Sequence, residues 1–229
     1  MPQLKDCKHH LHKQRGTGLD TMIFITEGQS AAGSIVSCRD VNTQAIFTLK
    51  GKPLNVCDCK RDALYKNVEI YNLMQSLDIE ETVDRLRYQK VILATDADVD
   101  GLHIRNLMIT LFLRFFDRII KEGHLYILET PLFRVRNKKE SHYCYSEEER
   151  VRAIQKCGAN PEITRFKGLG EISPAEFKAF IGKSMRLTPV DSSLDCAVTD
   201  TVEFYMGRNT PERRQYIMSK LVITEDSLS

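Results

Sequence analysis

Four short apolar runs separated by helix-like patterns constrain this chain more than any other feature of its sequence. The runs cover residues 22–26, 44–49, 91–95 and 124–129. Between them, helical patterns cover residues 30–39 and one or two stretches within 61–87. A further helical pattern is formed by the apolar residues at 104, 107, 108, 111, 112, 115 and 119. Strands that alternate with helices predict a parallel sheet covered by helices on both faces. We therefore predict an α/β unit, a Rossmann-like parallel sheet flanked by helices, over residues 21–135.

The two ends of the chain differ from this central unit. Residues 1–20 are polar and are predicted to be a short N-terminal segment that leads into the fold. After Pro131 the pattern changes, and residues 136–229 are predicted to form a mostly helical α+β tail domain. Its predicted elements are a hairpin at 133–145, helices that begin at Ser146 and Ser173, and helices within 196–222.

Composition excludes some classes of protein. No run of about 18 apolar residues is present, and no signal-peptide pattern is visible, so no membrane association is predicted and a cytoplasmic location is expected. The seven cysteines are expected to be reduced thiols, and Cys57 with Cys59 lacks the second close pair of a zinc site. A net charge of +2 neither requires nor excludes a nucleic-acid partner.

Acidic side chains follow two of the predicted strands. Asp96, Asp98 and Asp100 come directly after one strand, and Glu27 ends another. In extended chain, alternate carboxylates project to one side, and the carboxyl ends of neighbouring parallel strands share one edge of a sheet. A divalent cation would compensate this negative charge, so the pattern predicts a site for Mg²⁺, with Mn²⁺ or Ca²⁺ as possible substitutes.

Two other interpretations of the acidic run are open. An EF-hand loop that begins at Asp96 would place Leu107 where a bidentate Glu is required. The run could also be a solvated acidic turn, although the strand-end Glu27 and the flanking glycines argue against this. No Walker A pattern and no G-x-G-x-x-G after the first strand are present, so an ATP site within this chain is not supported.

Several motifs resemble those of type IIA topoisomerases and occur in the family's order. They are 25–31 (ITEGQSA), 50–56 (KGKPLNV), 95–101 (TDADVDG) with the following HIR, 165–171 (RFKGLGE), and 206–214 (MGRNTPERR). The chain resembles the C-terminal half of the B subunit of bacterial topoisomerase IV or gyrase, namely the TOPRIM domain and its tail. Residues 42–45 and 130–135 favour the topoisomerase IV branch.

The resemblance implies a role for each matching residue. The implied metal ligands are Glu27, Asp96, Asp98 and Asp100, of which Asp98 and Asp100 would share a second metal position. The implied catalytic residues are Glu27, Asp96, Asp98 and Lys167, with Glu27 also exchanging a proton with the DNA 3′-hydroxyl. The implied DNA-binding residues are Lys50, Lys52, His103, Arg105 and Lys167. From the residues alone, phosphate contact and ordinary surface charge are equally open for these cations.

The resemblance also implies partners. Double-stranded DNA would be cut and resealed by a tyrosine of the A subunit, within an A₂B₂ heterotetramer that relaxes or decatenates DNA. ATP would bind only in a region before residue 1, so this chain alone is expected to be inactive.

Gln29 stands where the family has Asp, at a place associated with quinolone response, and Arg208 also replaces an Asp. A non-catalytic scaffold for DNA or the A subunit, and another TOPRIM enzyme such as a primase or nuclease, are the alternatives.

Overall fold

The computed structural model of the protein describes residues 2–12, 18–191 and 195–220. Its strands are β1 (Leu4–Lys5), β2 (Met22–Glu27), β3 (Gln44–Leu49), β4 (Lys90–Ala94), β5 (Leu125–Leu128), β6 (Phe133–Arg136), β7 (Ser141–Cys144), β8 (Glu162–Arg165) and β9 (Leu187–Pro189). Its helices are α1 (Gly28–Cys38), α2 (Asp62–Lys66), α3 (Val68–Leu77), α4 (Val99–Phe115), α5 (Asp117–Lys121), α6 (Glu147–Cys157), α7 (Pro174–Phe180), α8 (Asp195–Met206) and α9 (Thr210–Lys220).

The apolar runs form the centre of a six-stranded sheet with the order β1-β3-β2-β4-β5-β9. Strands β3, β2, β4 and β5 are mutually parallel, and the short edge strands β1 and β9 are antiparallel to their neighbours. The central strands are apolar over most of their length because helices cover both faces, and Ile23, Phe24 and Ile92 are fully buried. The prediction of an α/β fold with a parallel sheet is confirmed.

The tail contains a second sheet, in which β6 lies between β7 and β8 and pairs antiparallel with both. Helix α6 packs on one face of it, over a small core. The buried residues of this core are Phe133, Val135, Cys144, Ala153 and Cys157. The predicted hairpin and the predicted Ser146 cap are both present, since the Ser146 hydroxyl accepts from the Glu149 N–H at 3.2 Å.

Parts of the tail pack directly on the central sheet. Helix α7 lies against α1, and β9 extends the sheet beside β5. Phe166 and Phe177, from beyond residue 135, share one buried cluster with Phe24 and Ile46. The buried core is therefore shared by residues on both sides of residue 135. The predicted boundary between a Toprim unit and a tail domain at this residue stays a prediction.

Two helical predictions differ from the structure in their limits. The periodicity between residues 104 and 119 predicts one helix, but α4 ends at Phe115 and α5 follows after Phe116, whose φ of −141° is not helical. The predicted helical end is divided into α8 and α9, and residues 221 and 222 lie outside the described part. None of the helices in the described ranges combines the length and apolar character that crossing a membrane requires.

The N-terminal segment is anchored through Asp6. The Tyr88 hydroxyl donates to Asp6 Oδ1 at 2.6 Å, and the Arg87 guanidinium pairs with the other carboxylate oxygen. Tyr88 is fully buried, and burial together with this hydrogen bond raises its pKa. A buried hydroxyl that finds a charged acceptor stabilises the contact between the segment and the sheet.

Candidate metal centre at the edge of the central sheet

The pairing of β2 with β4 brings the acidic residues together. The two strands are parallel, and Thr26 lies opposite Ala94 in the register. Glu27 is the next residue of β2, and Asp96 follows β4 by two residues, so both side chains start from the same edge of the sheet. Gly28 then turns the chain into α1 with a φ of +68°, a conformation that favours glycine.

Asp96 is held by the glycine loop of the tail. Its Oδ1 accepts a hydrogen bond from the Leu169 N–H at 2.8 Å. Gly168 lies so close that a Cβ added there would be 2.9 Å from Asp96 Oδ2. Burial raises the pKa of Asp96, the Leu169 N–H opposes that rise, and the charges of Asp98 and Glu171 add to it.

Glu27 carries the clearest sign that a cation belongs in this place. Burial raises the pKa of its carboxyl, the charges of Asp96, Asp98 and Asp100 raise it further, and a hydrogen bond from the Asp96 backbone to this carboxyl opposes the rise. Within the described ranges, Glu27 Oε2 is buried and has no hydrogen-bond partner. A buried carboxylate oxygen without a partner is costly, and a divalent cation would satisfy it. Hard carboxylate oxygens of this kind are suitable ligands for Mg²⁺, Mn²⁺ or Ca²⁺.

The arrangement of the aspartates differs from the predicted extended run. Asp98 caps α4, and its Oδ1 accepts from the Gly101 N–H at 2.8 Å, so the helix already begins at Val99. Asp100 consequently lies in the first helical turn, where it is exposed. There the hydrogen bond from Lys52 Nζ, at 2.7 Å, lowers the pKa of Asp100. The expectation that all three aspartates project to one side of an extended chain is wrong.

The acidic cluster is open. Elsewhere in the described part, two groups of His, Cys, Asp or Glu bring three ligand atoms within 4.8 Å of one another; they are Asp6–Cys7–His10 and Glu140–His142–Cys157. The ligand atoms of Glu27, Asp96 and Asp98 do not come within that distance of one another. The three carboxylates nevertheless interact, because the charges of Asp96 and Asp98 raise the pKa of Glu27 and the charge of Asp98 raises the pKa of Asp96. Like charges that share one edge of a sheet repel each other, and this repulsion favours a wider cluster.

The comparisons with known proteins agree with this geometry. Residues 22–130, which contain both strands and all four acidic side chains, match the Toprim domain. This segment of the chain is a Toprim domain. A Toprim domain is a metal-binding domain, which agrees with the donor set at the sheet edge.

Topoisomerase subunits are similar to nearly the whole chain. The B subunit of DNA topoisomerase 4 from Borreliella burgdorferi is 57% identical over 97% of this chain and 37% of its own length. The B subunit of DNA gyrase from Archaeoglobus fulgidus is 34% identical over 95% of this chain and 34% of its own length. The chain therefore spans about a third of these curated relatives.

A solved structure shows the same fold. The crystal structure of the Plasmodium falciparum topoisomerase II DNA-binding, cleavage and re-ligation domain aligns with a TM-score of 0.79 and 23% identity. The alignment covers 97% of this chain and 32% of that one. The likeness extends beyond the Toprim domain and so includes the tail with its second sheet.

Three predicted DNA-binding residues of this Toprim chain are exposed near the acidic cluster. Lys50 follows β3, and only its backbone N–H is engaged within the described contacts, donating to Glu69 at 2.6 Å. His103 lies on α4, one turn after Asp100. Lys167 precedes Gly168 in the loop that covers Asp96. All three side chains are accessible to a phosphate backbone.

The other two predicted DNA-binding residues are already engaged. Lys52 pairs with Asp100, as described above. Arg105 is half-buried, its Nε donates to Thr95 Oγ1 at 3.3 Å, and burial lowers the pKa of its guanidinium. Lys52 and Arg105 are therefore placed to orient the acidic residues. Direct contact of these two side chains with DNA stays a prediction.

Sequence reasoning did not assign two contributors to the centre. The backbone N–H of Leu169 and the carboxylate of Glu171 both act on Asp96, from more than 70 residues later in the chain. The sequence feature that could have indicated these contacts is the pair of glycines in the loop. Gly168 allows close approach to Asp96, and Gly170 allows close approach to Ser30.

Proposed function

We propose that this chain is the metal-binding part of a type II topoisomerase cleavage site that acts on double-stranded DNA. The tyrosine nucleophile would come from a partner A subunit, in an A₂B₂ assembly that uses ATP bound outside this chain. The observation that carries the proposal is the buried, unpartnered Oε2 of Glu27, which lies beside Asp96 and Asp98 at the carboxyl edge of a parallel sheet.

The proposed metal ligands are Glu27, Asp96 and Asp98, with Asp100 and Asp98 available for a second position. A bound Mg²⁺ would neutralise charge on the scissile phosphate and stabilise the leaving oxygen. Glu27 has a further proposed role in proton transfer, because burial and its acidic neighbours raise the pKa of its carboxyl while no cation is bound. In cleavage, the tyrosine hydroxyl would lose its proton to solvent as its oxygen bonds to phosphorus, the bond from phosphorus to the 3′-oxygen would break, and Glu27 would deliver a proton to that oxygen.

The basic residues have separate proposed tasks. Lys50, His103 and Lys167 are exposed and would contact the DNA backbone, which positions the scissile phosphate without reading sequence. Lys167 would also stabilise charge at the reacting phosphate, because its loop closes over Asp96. Lys52 and Arg105 would hold the acidic cluster in place through Asp100 and Thr95.

We further propose that the whole protein is a topoisomerase IV rather than a gyrase. The identity to the B subunit of a topoisomerase 4 is 57%, against 34% to that of a gyrase, over nearly the same share of this chain. This proposal predicts relaxation and decatenation of DNA.

Reconstitution tests the proposal. The chain is mixed with a topoisomerase IV A subunit, supercoiled plasmid and Mg²⁺, and the reaction is stopped with denaturant. We expect broken DNA that is covalently attached to the A subunit, and no cleavage by either protein alone. Removal of Mg²⁺ with a chelator should abolish cleavage.

Two results would contradict the proposal. Cleavage by the chain without any tyrosine-bearing partner would indicate a nuclease. A stable complex with the A subunit and DNA that never yields metal-dependent cleavage would indicate a scaffold. Asp96→Asn should separate these cases, because it removes one metal ligand while it leaves the exposed basic residues in place.

A further inference from the structure

A second group of metal-type ligands lies on the three-stranded sheet of the tail. Glu140, His142 and Cys157 bring a carboxylate oxygen, an imidazole nitrogen and a thiol sulfur within 4.8 Å of one another. They come from the turn after β6, from β7 and from the end of α6. We propose that these three side chains bind a transition-metal ion of the zinc class, at a site separate from the acidic cluster of the Toprim domain.

The strand register directs His142 towards the helix. In the β6–β7 pair, Phe133 lies opposite Cys144 and Val135 lies opposite His142. Side chains two residues apart in a strand share a face, so His142 lies on the same face as the buried Cys144. This is the face that α6 covers, and the Cys157 sulfur contacts the Val135 carbonyl oxygen at 3.9 Å. The imidazole and the thiol therefore meet below the end of α6.

The geometry of His142 and Glu140 fits adjacent coordination positions. Nε2 of His142 is 3.2 Å from Oε2 of Glu140. Nevertheless, among the described residues this buried nitrogen makes no hydrogen bond of acceptable geometry. Two ligands about 2.0–2.1 Å from a tetrahedral zinc ion lie about 3.3 Å apart. The observed spacing therefore suits two atoms that face a common ion.

Asn137 positions two of the three ligands. Its Oδ1 accepts from the Glu140 N–H at 2.9 Å, which fixes the turn that carries Glu140. Its Nδ2 donates to the Cys157 carbonyl oxygen at 2.9 Å, which fixes the end of α6. Outer residues that hold ligand-bearing segments in place are a common feature of metal sites.

The ligand types select the class of ion. Nitrogen, sulfur and oxygen together suit zinc and related transition metals, whereas Mg²⁺ prefers oxygen alone. Cys157 also lines an open groove with Asn137 and Ser141, which leaves room for a water molecule as fourth ligand. Binding would release the thiol proton to solvent.

The other compact group, Asp6–Cys7–His10, does not have these properties. The Asp6 carboxylate is occupied by the Tyr88 hydroxyl and by the Arg87 guanidinium, which also lies 2.8 Å from His10 Nε2. A fixed positive charge at the ligands opposes a metal cation. Asp6–Cys7–His10 therefore serves as the hydrogen-bonded anchor of the N-terminal segment.

Cobalt spectroscopy on the purified, reduced and metal-free chain tests the proposed site. Co²⁺ should produce the visible bands of a tetrahedral site and a near-ultraviolet thiolate-to-cobalt band, both saturating at one equivalent and both displaced by Zn²⁺ but not by Mg²⁺. Cys157→Ser should abolish the thiolate band. His142→Asn should weaken Co²⁺ binding by at least about 10-fold.

Cys144→Ser is the matched control, because Cys144 is buried in the same small core but is not one of the three ligands. It should retain the bands and the affinity, so a loss caused by misfolding of this sheet would appear in the control as well. The proposal is overturned if the wild-type chain gives no thiolate band, if the band persists in Cys157→Ser, or if His142→Asn binds Co²⁺ as tightly as the wild type.

Discussion

The proposed cleavage chemistry depends on single residues at the sheet edge, and Glu27 is the first of them. Its position could be predicted, because a Glu that ends one parallel strand and a DxD that follows another must share an edge when the strands are neighbours. The contacts of Asp96 with Gly168 and Leu169 could not be predicted from spacing, since they depend on how the tail folds back over the sheet.

Replacement of Glu27 by Gln should abolish cleavage while the fold is retained. The change keeps the shape of the side chain but removes the proposed metal ligand and proton donor, so the cleavage rate with an A subunit should fall by at least about 100-fold. Glu81→Gln, at an exposed position, is the control and should cleave at the wild-type rate. Equal rates for wild type and Glu27→Gln would show that Glu27 has no part in the reaction.

Replacement of Gly168 by Ala should disturb Asp96 without unfolding the protein. The new methyl group would lie 2.9 Å from Asp96 Oδ2, and this flexible side chain must move away. We expect the Mg²⁺ concentration for half-maximal cleavage to rise by about 10-fold, as for other changes to residues that position a ligand. Gly33→Ala, in an open place on α1, should leave that concentration unchanged. An unchanged Mg²⁺ requirement in Gly168→Ala would contradict the role of the loop.

At the scale of elements, the start of α7 is tied to the second sheet through Glu176. Ser173 and Glu176 form a capping box at the start of the helix, as the Ser-Pro-Ala-Glu sequence predicts. Glu176 Oε1 also accepts from Arg134 of β6 at 2.6 Å and from the Tyr143 hydroxyl of β7 at 2.8 Å. Burial raises the pKa of Glu176, but these hydrogen bonds outweigh it and lower the pKa to about 2.

This depressed pKa gives a pH-dependent contribution to stability. Because the folded-state pKa lies below the usual value of 4.5, the contribution is present above about pH 4.5 and is lost as the pH falls towards 2. Glu176→Gln should therefore lower the free energy of unfolding at neutral pH by about 1–2 kcal/mol, after allowance for solvent screening. Urea unfolding of both proteins across this pH range should show the difference shrinking in acid; a constant difference would contradict the assignment.

The sequence predicts the central elements better than the edges. The strands from β2 to β5 are long apolar runs between turn residues, and each appears close to its predicted position. The edge strands β1 and β9 have two and three residues, too few for any periodicity, and they form because neighbouring strands offer free backbone groups. Helix α4 begins earlier than its apolar pattern because the Asp98 side chain caps it.

At the scale of the whole molecule, the tail and the Toprim domain share packing. Phe166 and Phe177 lie in the same buried cluster as Phe24 of β2, so the loop over Asp96 is supported by the core of the sheet. Sequence patterns predicted each half separately, but the shared cluster depends on contacts between residues more than 100 positions apart. A change in this cluster should therefore affect both stability and the acidic site.

The activity of the assembled enzyme separates topoisomerase IV from gyrase. The chain can be joined to the N-terminal region of a related topoisomerase IV B subunit and combined with the A subunit of the same enzyme. With ATP, we expect relaxation of supercoiled plasmid and decatenation of linked circles, both read on agarose gels. Introduction of negative supercoils into relaxed plasmid would contradict the topoisomerase IV proposal.

The location of Mn²⁺ in crystals of this chain tests the central claim most directly, because Mn²⁺ can replace Mg²⁺ and gives an anomalous signal. The account predicts a peak bounded by the carboxylates of Glu27, Asp96 and Asp98, and loss of that peak in Glu27→Gln crystals. A peak that persists without the Glu27 carboxylate, or Mn²⁺ bound only at other positions, would contradict it.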